Sequence, residues 1–285
     1  MQRPAAPPVD EFGPLRALVD AALAEDLHAG DVTSRITVPA DRAASGRVVA
    51  KQRLVFAGGP VVVRVFSRVD PTVEVELLVG EGDSLEPGTD VVRVQGPARS
   101  ILAAERTALN LLQRSCGVAT LTRAYVDAAE GRTKIVDTRK TMPCLRALDR
   151  YAVRCGGAFN HRNDLGSGVL VKENHVRCAG GVGRAVRVAR ASAPHTLRVE
   201  CEVTTLDELR EALDAGADAA LLDNMSDQQI REAVEIADGR AVLEASGNVT
   251  LERIPRLAQT GVDLVSVGAL THSAPAADLS LLLDL

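Results

Sequence analysis

The chain has 285 residues, 46% of them hydrophobic and 25% charged, a soluble-globular balance with room for one large or two ordinary domains. A net charge of -5 argues against a nucleic-acid coat, and with 2% aromatics and no Trp there are few rings to stack single-stranded bases. No apolar run reaches the length of a membrane span, and the five scattered cysteines (Cys116, Cys144, Cys155, Cys178 and Cys201) form no CxxC pair, which speaks against a disulfide framework or a zinc site.

Met1 to Pro14 is rich in Pro and Ala and lacks an apolar signal core. It reads as a loose tail on a cytoplasmic protein. Leu15, Leu18, Val19, Ala22 and Leu23 follow at helical spacing. Strands are predicted at Gly46–Lys51, Val73–Leu78 and Asp90–Val94, with Gly80-Glu-Gly-Asp83 and Glu86-Pro-Gly88 as turns between them. Two helices are predicted next, Ile101–Arg114 and Val118–Ala129.

From Thr133 short apolar runs alternate with amphipathic helices. The runs are Lys134–Val136, Gly168–Val171, Leu197–Val199, Ala219–Leu222, Ala241–Leu243 and Leu264–Val267. Capping boxes are predicted at Thr205/Glu208 and Ser226/Gln229. A helix beginning at Thr141-Met-Pro143 should end at Gly156-Gly157. Such alternation implies a parallel sheet covered by helices. Most of the strands end in polar residues: Asp137-Thr-Arg-Lys140, Lys172-Glu-Asn-His175, Glu202, Asp223-Asn224, Glu244-Ala-Ser-Gly247 and Gly268. That edge carries the active site in a β/α barrel and the ligand in an open α/β sheet. Six strands are fewer than eight, so an incomplete barrel is the preferred reading and an open sheet the alternative.

Between Arg132 and Arg177 there are ten Lys or Arg against four acids, inside a chain that is acidic as a whole. Arg146, Arg150 and Arg154 recur every four residues and read as a solvated helix face. Arg139, Lys140, Arg162 and Lys172 flank apolar strands and suit a pocket for a multiply charged anion. Glu202 and Asp223 close successive strands, where carboxylates among cations could hold Mg²⁺ on pyrophosphate oxygens or serve only as caps. Glu244-Ala-Ser-Gly-Asn248 and Ser266-Val-Gly268 place small residues after neighbouring strands, which suits backbone N–H contacts to a phosphate and is also ordinary turn chemistry.

Asp137-Thr-Arg-Lys-Thr-Met-Pro143, Tyr151-Ala-Val-Arg-Cys-Gly-Gly157, Asn160-His-Arg162 and Val169-Leu-Val-Lys-Glu-Asn-His175 resemble the central signature of the quinolinate phosphoribosyltransferases. Ala24-Glu-Asp-Leu27, Gly30-Asp-Val-Thr-Ser34, Ala104–Asn110, Leu221-Leu-Asp-Asn224, Leu243–Gly247 and Val267–His272 resemble further motifs of that family, from about Leu15 to the end. The resemblance implies an α/β sandwich domain, residues 15–116 completed by about 272–285, and an irregular β/α barrel over 117–271. It implies transfer of a phosphoribosyl group from phosphoribosyl pyrophosphate (PRPP) to quinolinate with Mg²⁺, in de novo NAD synthesis. It also implies a homodimer, or a larger assembly of dimers, with shared sites. By resemblance Arg106 comes from the partner and helps bind quinolinate; Arg139, His161, Arg162 and Lys172 line the same dicarboxylate pocket, with Thr138 among the substrate-binding residues; Lys140 lies by the reacting centre, toward the ribose and pyrophosphate. Glu202 and Asp223 face the ribose and Mg²⁺ and form the catalytic set with Lys140; Ser246, Gly247 and Gly268 cradle the 5′-phosphate, with Asn248 and Ala269 among the substrate-binding residues. The chain departs from the family pattern at Met142, Cys144, Ala158, Ser167, Glu173 and Asn248, the family commonly having glycine at 144, 158 and 248. Three other readings stay open on the residues: transfer to another pyridine carboxylate or related acceptor, a barrel lyase with Lys172 or Lys140 as Schiff base, and a PRPP-binding protein without turnover.

Overall fold

The structure, a computed structural model, describes residues 15–284; the predicted tail over Met1–Pro14 lies outside them. The described chain forms two compact units, one of residues 15–123, 141–157 and 269–284, the other of residues 124–140 and 158–268.

In chain order the elements are α1 (Leu15–Asp26), α2 (Val32–Thr37), β1 (Ala43–Ala50), β2 (Leu54–Val55), α3 (Gly59–Val69), β3 (Glu74–Leu77), β4 (Ser84–Leu85), β5 (Asp90–Pro97) and α4 (Ala98–Ala128). Then follow β6 (Lys134–Val136), α5 (Arg146–Gly156), β7 (Val169–Val171), α6 (Glu173–Ala179), α7 (Val182–Ser192), β8 (Val199–Val203) and α8 (Leu206–Asp214). The chain closes with β9 (Ala219–Asp223), α9 (Asp227–Ala237), β10 (Val242–Ser246), α10 (Ile254–Leu257), β11 (Leu264–Ser266), α11 (Ala269–His272) and β12 (Leu279–Asp284).

The first unit is built on an antiparallel sheet of order β12-β1-β5-β3. Val48, Val92 and Val94 of the sheet share one apolar cluster with Leu15 and Val19 of α1, Val61, Val65 and Phe66 of α3, and Ile101 and Leu112 of α4. The last strand, β12, lies along β1 with Val48 opposite Leu281, so the C-terminus completes this sheet. Buried Asp149 of α5 takes a two-pronged ion pair from Arg114 of α4 at 2.9 and 3.0 Å, and Arg114 also donates to the carbonyls of Thr271 and Ala274. Breaking one partner of such a pair leaves an uncompensated buried charge.

Two sequence expectations change here. The helices predicted on either side of Gly117 are one helix, α4, of 31 residues. Gly117 does not end it; a Cβ there would stand 1.9 Å from the Pro275 carbonyl oxygen, so glycine serves a close backbone approach. The helix expected from Thr141 begins only at Arg146, because Cys144 adopts a left-handed backbone (φ 64°) that no helix continues through. It ends as expected, with Gly157 as left-handed cap. Its arginines are not a solvated face: Arg150 is buried, drawn in because α5 is covered on most sides from Leu148 to Gly156.

The second unit holds six parallel strands in the order β6-β11-β10-β9-β8-β7. Strands next to each other in sequence pair along the sheet, and the first, β6, pairs with the last, β11. Only a β6–β7 pair is missing from a closed ring. An open doubly wound sheet does not join its first strand to its last in this way, so the barrel reading holds over the open-sheet alternative. The gap is lined by residues 158–168: Phe159 bridges Val136, its N–H donates to Ile135 O at 2.9 Å and its carbonyl accepts from Asp137 N at 3.1 Å. Ser226 and Gln229 form the full capping box, whereas at Thr205 only half forms, because the Glu208 carboxylate reaches past the cap to Thr204 N at 2.7 Å.

Two tests follow from this packing. Gly117→Ala is expected to lower stability by about 1–3 kcal/mol through overpacking, read as a fall in the denaturant midpoint; an unchanged midpoint would show that the Pro275 segment yields freely. The cysteines are all free. Cys116, Cys155 and Cys201 are buried, and burial pushes the thiols of Cys116 and Cys201 up to about 12 and that of Cys155 up as well. Iodoacetamide on the native protein should therefore modify Cys144 and Cys178 alone, counted by mass spectrometry.

Candidate active site

Side chains alternate along a strand, so every second residue faces the barrel interior. In β8 the buried Val199, Cys201 and Val203 share one face, and Glu200 and Glu202 share the other. Parallel register then stacks the levels: Asp223 lies opposite Ser246, and Leu221 lies opposite both Glu202 and Glu244. The strand ends surround a cavity of ≈ 580 Å³.

That cavity is lined by Thr138, Arg139, Lys140, His161, Arg162, Lys172, Glu202, Asp223, Ser246, Gly247 and Asn248, all candidates from the sequence, with Leu170, Leu221, Asn224 and Glu244 between them. Gly268 and Ala269 follow β11 and are not among the lining residues. Arg106 sits on α4, in the other unit, with its side chain exposed.

Local hydrogen bonds explain the placement. Asp137, fully buried at the end of β6, accepts from Asn160 Nδ2 and from His161 N, both at 2.7 Å. This fixes the segment in the barrel gap and delivers His161 and Arg162 to the interior. Arg162 donates to Gly168 O at 3.0 Å, just ahead of β7. Thr138 Oγ1 accepts from Lys140 N at 3.1 Å, turning the chain after β6. Lys172 Nζ lies 2.6 Å from Glu202 Oε2. Arg139 Nε is buried without a hydrogen-bond partner.

The sequence reading missed Glu200 and the inward role of Glu244, though the alternation Val199-Glu-Cys-Glu-Val203 carried the signal for the first. His161 Nε2 is 3.2 Å from Glu200 and 3.4 Å from Glu244. These two carboxylates push the His161 pKa up to about 10 against the opposition of burial. The Arg162 amide, directed at Nδ1 from 2.6 Å, opposes a second proton on the ring. Two ionic partners outweigh one neutral amide bond, so the imidazolium is the favoured form. In either form Nε2 carries a proton, so the trio does not suit a metal ion, although its ligand atoms lie within 4.8 Å of one another. Burial, and next the Arg139 charge, lower the Arg162 pKa; the acids of the cluster offset this crowding of cations.

The comparisons with known proteins decide the family. The family model described as quinolinate phosphoribosyl transferase, C-terminal domain, matches residues 118–282, and its N-terminal counterpart matches residues 31–116. The chain belongs to the quinolinate phosphoribosyltransferase family. It is 39% identical to a probable carboxylating nicotinate-nucleotide pyrophosphorylase of Bacillus subtilis, over 94% of this chain and 92% of that protein. It is 41% identical to the mitochondrial quinolinate phosphoribosyltransferase 2b of Nicotiana tabacum, over 98% and 84%. The solved nicotinate-nucleotide pyrophosphorylase of Francisella tularensis superposes with a TM-score of 0.91 at 38% identity, covering 100% of this chain and 99% of that one.

For this member of the family the imidazolium of His161 is open to a direct test. Its pKa lies above the ordinary 6.5, so its stabilising contribution is complete below about 6.5 and fades as pH rises through about 10. The His161 ring resonance should be flat between pH 5 and 8 in NMR, and in Glu244→Gln its midpoint should move down. A wild-type midpoint near 6.5 would refute the charge assignment.

Proposed function

We propose that this protein transfers the phosphoribosyl group of PRPP to quinolinate, yielding nicotinate mononucleotide, pyrophosphate and CO₂, as a carboxylating nicotinate-nucleotide pyrophosphorylase in NAD synthesis. The observation that carries the proposal is the convergence of Arg139, Lys140, His161, Arg162 and Lys172 on one cavity in a chain of this family.

Quinolinate brings two carboxylates. The buried Arg139 Nε lacks an acceptor, an arrangement that is costly until a substrate oxygen takes the bond. Arg139, His161, Arg162, Lys172 and Thr138 bind this dicarboxylate; a monocarboxylate would leave part of the set uncompensated. PRPP lies with its 5′-phosphate at Ser246, Gly247 and Asn248, aided by Gly268 and Ala269. Its ribose hydroxyls face Glu202 and Asp223, and its pyrophosphate faces Lys140. The quinolinate nitrogen attacks ribose C1 as the C1–O bond to pyrophosphate breaks, and the two carboxylates stabilise the positive charge that develops on the ribose. Loss of the adjacent carboxylate as CO₂ leaves its bonding pair on the ring carbon, where the positive charge of the neighbouring quaternised nitrogen stabilises it until that pair takes up a proton.

Asp223 and Glu202 offer hard carboxylate oxygens beside a phosphate site, a donor set that fits Mg²⁺, which is bound by one or two carboxylates together with water and substrate phosphates. When bound, the ion supplies charge neutralisation for pyrophosphate. The protein acts as a homodimer, alone or in a larger assembly, in which exposed Arg106 of one subunit serves the cavity of its partner. We place it in the cytoplasm, consistent with five free thiols; no helix among the described residues is long and apolar enough to cross a membrane.

The test is turnover with quinolinate, PRPP and Mg²⁺, with nicotinate as parallel acceptor. Nicotinate mononucleotide and CO₂ should appear from quinolinate alone, and EDTA should stop the reaction until Mg²⁺ is restored. Arg162→Met should raise the KM for quinolinate at least about tenfold, the scale of one lost charge-assisted contact. No product from quinolinate with a folded protein that binds PRPP would overturn the reading.

A further inference from the structure

We infer that Asn224 is a positioning residue, and that with Asn248 it forms a latch joining the loop that holds the 5′-phosphate to the Asp223 carboxylate. The inference rests on the proposed use of that cavity for PRPP.

The observations form one chain of hydrogen bonds across two strand ends. Asn224 Nδ2 donates to Asp223 Oδ2 at 2.8 Å. A carboxylate only accepts, so this bond fixes which way the Asn224 amide faces. Its Oδ1 then points the other way and accepts from Asn248 Nδ2 at 3.0 Å. The Asn224 backbone N–H donates to Ser246 O at 3.0 Å, binding the same two loops a second time.

The backbone is shaped for this contact. Asn224, Gly247 and Asn248 are all left-handed, at φ 56°, 87° and 46°. Asparagine tolerates that region better than most side chains, whereas a Cβ at Gly247 would stand 2.3 Å from Asn224 Oδ1. Gly247 is therefore small so that the Asn224 amide can pass. At 248, where the family commonly has glycine, an asparagine keeps the left-handed turn and adds the donor that completes the chain.

The consequence is mechanical. Asp223 ends β9 and Ser246 ends β10, in register. Without the amides, the carboxylate and the phosphate loop would be linked by backbone alone. With them, closure of the loop on a 5′-phosphate draws Asn248, and through Asn224 sets the carboxylate toward the ribose. Phosphate recognition and ribose orientation become one coupled event.

The test is a double-mutant cycle with Asn224→Gly and Asn248→Gly. Glycine accepts the left-handed backbone at both positions and retains the Asn224 N–H to Ser246 bond, so melting temperatures should stay close to wild type. PRPP binding, measured by calorimetry, should weaken roughly tenfold in Asn224→Gly, as for loss of a hydrogen bond to a charged group, while quinolinate binding stays within about twofold. Asn248→Gly should weaken PRPP binding less, and the double variant should bind no worse than Asn224→Gly, because the second substitution removes a link already broken. In turnover, kcat should fall and KM for PRPP rise with KM for quinolinate held. Wild-type PRPP affinity in Asn224→Gly, or losses that simply add in the double variant, would overturn the latch. The cycle reads PRPP binding alone, so it decides the latch even if quinolinate proves not to be the acceptor; a wild-type protein that binds no PRPP overturns both.

Discussion

The in-register pairing of β8, β9 and β10 is the constraint on which the rest of the site depends. Parallel strands hold equivalent residues level, and the two-residue alternation of side chains then decides which of them meet inside the barrel. Glu202, Leu221 and Glu244 fall on one level, with Asp223 and Ser246 on the level above. A slip of one residue in β8 would turn Glu200 and Glu202 toward the helices and bring Val199, Cys201 and Val203 inward. No separate device aims the carboxylates; the ladder does it.

The second feature is the balance of charge inside that ladder. Barrel interiors are commonly filled with branched apolar residues. Here the interior carries His161, Arg162, Glu200 and Glu244. These cannot sit there singly, because an isolated buried charge costs several kcal/mol (order of magnitude). His161 is held between two glutamates, and Lys172 is held by Glu202. His161, Arg162 and Glu244 also line a second cavity of ≈ 430 Å³ at the strand starts, so the cluster separates that space from the cavity at the strand ends. The cations of the cavity are thus compensated within the barrel by acids of the neighbouring strands.

Much of this was legible in the chain. The six apolar runs after Thr133 correspond to the six parallel strands, shifted most at β8, where the run Leu197–Val199 leads into a strand that extends to Val203. Of the polar residues predicted at strand ends, Thr138, Arg139, Lys140, Lys172, Glu202, Asp223, Asn224, Glu244, Ser246 and Gly247 line the cavity, whereas Asp137, Glu173, Asn174, His175 and Gly268 do not. The misjudged elements share a cause. The helices predicted as Ile101–Arg114 and Val118–Ala129 leave Gly117 between them, and its role as a spacer appears only with Pro275, far away in sequence, beside it. Arg150 repeats with helical period beside Arg146 and Arg154, and periodicity marks a face without saying what covers it.

The sequence by itself determined the alternation of strand and helix, the edge at which function sits and the signature of the family, because these depend on local periodicity and on residue types at short spacing. Only the tertiary structure decided that β6 meets β11, that the segment holding His161 and Arg162 enters the gap beside β6, and that Glu200 and Glu244 converge on one imidazole. It also joined Asn224 to Asn248 across two loops. Those contacts depend on which strands become neighbours and at what register, and residues 23 to 130 positions apart in the chain carry no local trace of meeting.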